Sequence, residues 1–245
     1  MGKVQFYYIS SRMITILIKM ILKKIVQDIF KKKSINLDLK DNWDDILFDK
    51  HYSYYLEYID LIKENNLELN FTNLQNCFKL DVKLSRVLDK IIRPIEIKLK
   101  TQLMYIFNDE IDKIKKYSIG EIKEKYKDNK DNDSIKKLGY NINDIEKLRI
   151  LRNSISHNNQ ILPYFFNKKN LPGKSKSKKQ FNIYECIRAI EKLATKTYLD
   201  DFDDYIKNLW SDDKRKKFII YTNLLKEIKK ELFNNDNAKN RHNKK

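Results

Sequence analysis

Leu84-Ser85-Arg86-Val87-Leu88-Asp89-Lys90-Ile91-Ile92-Arg93-Pro94-Ile95-Glu96-Ile97-Lys98-Leu99 is the stretch on which the architecture turns. Its apolar residues Leu84, Leu88, Ile91, Ile92, Ile95 and Leu99, continued by Leu103 and Ile106, recur at steps of three and four. That spacing stacks them on one side of an α-helix and predicts a helix over 81–107 with one buried face. Proline has no amide hydrogen, so Pro94 is expected to start or kink this helix. Asp89, Arg93, Glu96 and Lys100 keep the same spacing with alternating sign, which reads as a solvated, ion-paired face.

Composition extends the helical reading to the whole chain. With 4 Gly and 3 Pro in 245 residues there are too few turn-formers for a sandwich or an alternating α/β sheet, while 41% hydrophobic content suffices for a core. The expected fold class is all-α. The formal net charge of +17 favours polyanionic partners, RNA first, although a Lys- and Asn-rich codon bias would raise the charge as well.

Upstream, residues 1–40 form an N-terminal extension. Ile14, Leu17, Ile18, Ile21, Ile25 and Ile29 recur at helical spacing with lysines between them, predicting an amphipathic basic helix that packs on the rest of the protein, with a membrane surface or RNA as the alternative partners. Lys19, Lys23, Lys24 and Asp28 interrupt the apolar run short of a spanning length, so no stable membrane insertion is expected. The aromatic run His51-Tyr52-Ser53-Tyr54-Tyr55-Leu56-Glu57-Tyr58 is assigned to a helix ending near Asn65-Asn66.

Downstream, residues 109–140 are charge-rich with weak periodicity, suggesting one exposed helix and a loose connection over 127–133. Asn143 or Asp144 then caps a helix with apolar positions Ile145, Leu148, Leu151 and Ile155. Residues 163–180 carry six lysines and no acid beside Pro172 and Gly173, the composition of a mobile basic loop. A helix is expected from Ile183 to about Tyr198 and another from about Asp213 to Phe233. Residues 41–233 thus read as the main helical domain, and 234–245 as a disordered basic tail.

Cys77 and Cys186 lie far apart, without neighbours at metal-ligand spacing, and read as reduced buried thiols suited to a cytoplasmic protein. No glycine-rich phosphate loop, His-Glu-x-x-His or paired-cysteine motif is present, so no metal and no cofactor is expected. The chemistry concentrates on Arg152-Asn153-Ser154-Ile155-Ser156-His157. Asn153 and His157 are four apart and share a helix face, Arg152 flanks it, and Arg149, Ser156 and Gln160 extend the polar strip. RNA is cut without metal when one group removes the 2′-OH proton, another protonates the departing 5′-oxygen, and a cation steadies the phosphorane. Imidazoles titrate near neutrality and guanidinium forks match phosphate oxygens. One chain offers one suitable histidine, so a homodimer would supply the second across a two-fold axis. The products would be a 2′,3′-cyclic phosphate and a 5′-hydroxyl. The candidate catalytic residues are Arg152, His157 and Asn153, with Ser156 in support. The RNA-binding candidates are Arg149 and Lys168, Lys169, Lys174, Lys176, Lys178 and Lys179.

These residues also resemble a known family. Tyr54-Tyr55 and Tyr58, then Phe71, Asp81, Leu84, Ile95-Glu96 and Leu99-Lys100, then Arg152-Asn153-x3-His157 follow in order the pattern of the Abi-like proteins of phage abortive infection, typified by AbiD and AbiF, within the HEPN superfamily of helical ribonucleases. The resemblance runs from about Asn42 to Phe233. It implies a HEPN-like helical bundle whose Arg-x4-His helix faces a second copy, and it gives Glu96 and Lys100 supporting roles, Glu96 holding Arg152 or Lys100. It further implies a metal-independent endoribonuclease with RNA as substrate, and a structured small non-coding RNA as a plausible partner. Lys100 stands where the family has Arg, and Asn158-Asn159 follow His157 where tyrosine-silenced HEPN toxins have His-x-Tyr, so silencing through that tyrosine is not expected. The alternative is a non-catalytic RNA-binding module of a defence or toxin–antitoxin ribonucleoprotein.

Overall fold

The structure, a computed structural model, describes residues 11–37, 53–157, 160–167, 171 and 181–195, with the single positions 197, 199, 200, 204, 222–224 and 226. The described residues are helical; their pairing in extended conformation is limited to an isolated parallel bridge between Asn36 and Asn70. The all-α expectation holds. The chain forms two compact units, residues 1–78 and 79–245.

The first unit holds α1 (Ser11–Lys32), α2 (Ser53–Leu56), α3 (Ile59–Glu64) and the start of α4 (Phe71–Ile106). The aromatic run therefore forms two short helices separated at Glu57 and Tyr58, ending at Asn65 and Asn66 as expected. Its core is aromatic: Tyr55 meets Phe71 edge-on at 5.1 Å between ring centres, and Phe71 meets Phe30 at 5.8 Å. The amide of Phe71 donates to the Asn36 carbonyl, and Asn70 caps α4 by accepting the Asn73 amide on its side-chain oxygen at 2.8 Å.

The second unit is built on α4 from residue 79 onward. Of the predicted apolar set, Leu84 through Leu103 are buried and Ile106 is half-buried. Pro94 does not start the helix, which runs through it from Phe71. The charged stripe is only partly solvated. Arg93, paired with Asp89 at 2.7 Å, has a side chain 74% exposed, but Glu96 and Lys100, paired at 3.3 Å, are largely covered.

A 3-10 turn (Asn108–Glu110) and the short α5 (Ile111–Ile114) lead to α6 (Ile119–Asp128). Ser118 and Glu121 close a capping box on α6, and its Ile119, Ile122 and Tyr126 are buried, so this charge-rich helix has an inward face. The connection expected over 127–133 is a turn at 129–132, and where one helix was expected a second, α7 (Asp133–Leu138), follows it, capped by Asn132 and terminated by Gly139 at φ 66. Helix α8 (Ile142–Ser156) is capped by Asn141 rather than Asn143 or Asp144. It packs on α6 and, most extensively, on α10 (Ile183–Leu193). Lys192 near the end of α10 reaches Asp144 in the first turn of α8 at 3.5 Å. Helix α10 stops at Leu193, earlier than expected, with Ala194 extended. Between them lies α9 (Leu162–Asn167). Of the helix expected over 213–233, residues 222–224 and 226 are described and helical, with Leu224 buried; the basic loop expected from 163 begins instead as helix α9, and the rest of it apart from Leu171, with the basic tail, lies outside the described residues.

Buried charge holds α8 in place. Glu146, with a side chain 7% exposed, takes a two-pronged bond from Arg149 at 2.8 Å for each arm and pairs with Lys123 of α6 at 3.3 Å. Hydrogen bonding to Arg149, reinforced by its charge and that of Lys123, lowers the Glu146 carboxyl to about 2. Removing Arg149 while leaving the buried carboxylate, as in Arg149→Met, should cost about 2–3 kcal/mol in urea unfolding at neutral pH. The folded carboxyl titrates below its ordinary 4.5, so the stabilisation is complete above that pH and is lost as pH falls toward about 2. The gap between wild type and Arg149→Met should therefore close across that acid range.

Candidate functional site at the end of helix α8

Helix α8 is buried on several sides, through Ile145, Leu148, Ile150, Leu151 and Ser154 and the charged Asp144 and Glu146. Ser154, not the half-buried Ile155, is its last buried residue. In the last turn Arg152 and Asn153 are half-buried, and Ser156 and His157 are exposed. His157 ends the helix, its amide donating to the Asn153 carbonyl at 3.0 Å, so Asn153 and His157 remain stacked on one face.

Behind Arg152 stands Glu96 of α4. Its Oε2 lies 3.9 Å from Arg152 Nε and its Oε1 3.3 Å from Lys100 Nζ. The first distance is long for an ion pair, and the Arg152 side chain is 42% exposed, so the carboxylate aims the guanidinium without covering it. Arg149 differs. Its fork is closed on Glu146, only 19% of its side chain is exposed, and its Cδ lies 3.6 Å from the position a Cβ would take on Gly120. Glu96, Lys100 and Arg152 are therefore brought together, with Asn153, Ser156 and His157 following on the same helix end, while Arg149 is engaged with α6. Lys168, Lys169, Lys174, Lys176, Lys178 and Lys179 lie outside the described residues.

The segment after His157 is fixed by residues whose roles the sequence reading did not assign. Asp81 of α4, 3% exposed, accepts the amides of Ile161 at 3.1 Å and Leu162 at 3.2 Å on one carboxylate oxygen. It serves as a cap for α9 supplied from 80 residues away. From the other side the Tyr184 hydroxyl of α10 donates to the Phe165 carbonyl at 2.9 Å, and the two rings meet edge-on at 5.6 Å. A signal existed: Pro163 in the first turn announces a helix start, yet Ile161 at the cap position has no acceptor to offer. The acceptor had to come from elsewhere.

Both cysteines are buried thiols, and burial pushes Cys186 up to about 12, leaving it inert as a nucleophile. Among the described residues no three His, Cys, Asp or Glu side chains converge on a possible metal position, and no helix is long and apolar enough to cross a membrane.

Residues 45–147 match the family model described as Abi-like protein. Over that stretch the chain is similar to this family, and the match takes in Asp81, Glu96 and Lys100 and ends before Arg152. No curated protein and no solved structure matches the chain.

Removing the Asp81 acceptor should loosen the chain directly behind the motif. Asp81→Ala is expected to lower the unfolding free energy by about 2–3 kcal/mol by orphaning two buried amides. Asp81→Asn, which keeps an acceptor oxygen, should lose less. Amide hydrogen exchange should accelerate at Ile161 and Leu162 first, and unchanged protection there in Asp81→Ala would refute the cap.

Proposed function

With the Abi-like similarity over residues 45–147 as premise, we propose that this protein acts in phage defence by abortive infection as a HEPN-type, metal-independent endoribonuclease working in the cytoplasm. The observation that carries the reading is the company Arg152 keeps: an accessible guanidinium backed by Glu96 at 3.9 Å, on the helix end that exposes His157. Arg152 grips the non-bridging oxygens of the scissile phosphate, and Asn153 on the face of His157 orients the ribose or phosphate by hydrogen bonds. His157 takes the proton from the 2′-OH as that oxygen attacks phosphorus. The bond from phosphorus to the 5′-oxygen then breaks, and the leaving oxygen is protonated by a second imidazole, His157 of a second copy related by a two-fold axis. One product ends in a 2′,3′-cyclic phosphate and the other begins with a 5′-hydroxyl. The net charge of +17 supports RNA as substrate, with a structured small RNA as a controlling partner, and the lysines at 168–179 supply further phosphate contacts.

His157→Ala should abolish both RNA cleavage and cell toxicity while leaving RNA affinity within about twofold of wild type, since the imidazole acts in proton transfer rather than in grip. Arg152→Lys keeps a cation but loses the fork, and should cut the rate at least about tenfold. A His157→Ala protein that still cleaves would move the active site elsewhere. Phenotype and affinity both unchanged in His157→Ala would favour the non-catalytic binding module. In that case Lys-to-Glu changes at 168–179 would weaken RNA binding and flatten its salt dependence.

A further inference from the structure

The N-terminal part of α1 contradicts the expectation that its apolar residues pack on the rest of the protein. Ile16, Leu17, Ile18, Met20, Ile21 and Ile25 are between 47 and 64% exposed. Among the described residues of α1 the buried ones are Val26 at 3% and Phe30 at 0% exposure, with Lys19, Leu22 and Ile29 half-buried. Six large apolar side chains exposed within three turns exceed the scattered surface residues of ordinary soluble proteins. The same helix carries Lys19, Lys23, Lys24, Lys31 and Lys32 against the single acid Asp28. Thr15, Lys19 and Lys23 follow one another at steps of four, a narrow polar line beside the apolar residues.

We propose that α1 is a membrane-surface binding element that lies in the headgroup layer of an anionic phospholipid bilayer. The two properties of α1 select this occupant together. Nucleic acid would take the lysines but offer nothing to isoleucine and leucine side chains. The α1 of a second copy would cover the apolar residues but set the same lysines against each other. An anionic bilayer surface accepts both, apolar side chains at the acyl boundary and lysines reaching up to the phosphates. No helix among the described residues is long and apolar enough to cross a membrane, so the attachment is peripheral, with α1 parallel to the surface. It is independent of the nuclease reading, since none of its residues belongs to the site on α8. Where both hold, the membrane determines where the enzyme waits.

A chain of charge +17 sticks to anionic vesicles through bulk charge alone, so the test alters apolar surface and not charge. Full-length protein and the Leu17→Ser/Ile21→Ser variant are sedimented with vesicles of phosphatidylcholine alone and of phosphatidylcholine with about a third phosphatidylglycerol, at roughly 0.15 M salt. Wild type should bind the anionic vesicles and not the neutral ones. The double variant should bind them at least about tenfold more weakly, with an unchanged unfolding midpoint because neither side chain is in the core. Equal binding by the two proteins, or no binding by wild type, overturns the proposal. So does a wild type that self-associates without lipid while the variant is monomeric, which would assign the surface to a second copy. A variant that loses RNA affinity instead would assign it to nucleic acid.

Discussion

The bond between the Asp81 carboxylate and the amides of Ile161 and Leu162 is the constraint on which the candidate site depends. A carboxylate 3% exposed is costly to bury unless its oxygens are used, and helix α9 begins with donors that have no local acceptor. Each deficit cancels the other. The consequence is geometric: the chain must return to α4 within a few residues of His157, so α8 cannot continue past it. Tyr184 fixes α9 from the opposite side, and the end of α8 is held between fixed points while its polar face stays open.

Charge in this unit is divided between holding and waiting. Arg149 and Arg152 are one turn apart on the same helix, yet Arg149 sits 2.8 Å from a carboxylate and Arg152 3.9 Å. The short pair, with Lys123 behind it, bolts α8 to α6; the long one leaves a cation oriented but reachable. Lys147 and Lys192 are likewise occupied, both on Asp144. Local acids thus neutralise the structural cations selectively.

The long-period features were legible in the sequence. Steps of three and four from Leu84 to Leu103 specify the buried face of α4, and Arg152 to His157 fall on the helix expected from Asn143 or Asp144. Pairwise and distant features were not. Asp81 could be matched to a pattern but not given a partner 80 residues away. The cap of α8 fell on Asn141 because three candidate residues stand in a row of four and only backbone geometry chooses among them. Helix α7 has no counterpart in the sequence reading because six residues with one buried Ile135 leave hardly any periodic trace. The basic composition of 163–180 hides the helix at its start, because its lysines begin only at Lys168, beyond α9.

The central claim is that Arg152 and His157 cut RNA by attack of the neighbouring 2′-oxygen. The most direct measurement is the chemistry of the ends produced when the purified protein cleaves a defined RNA in the presence of a metal chelator. The account predicts undiminished cleavage leaving a 2′,3′-cyclic phosphate and a 5′-hydroxyl, and no cleavage of the same RNA carrying 2′-deoxy or 2′-O-methyl sugars. Products with 5′-phosphates, or activity that disappears with the chelator, would contradict it.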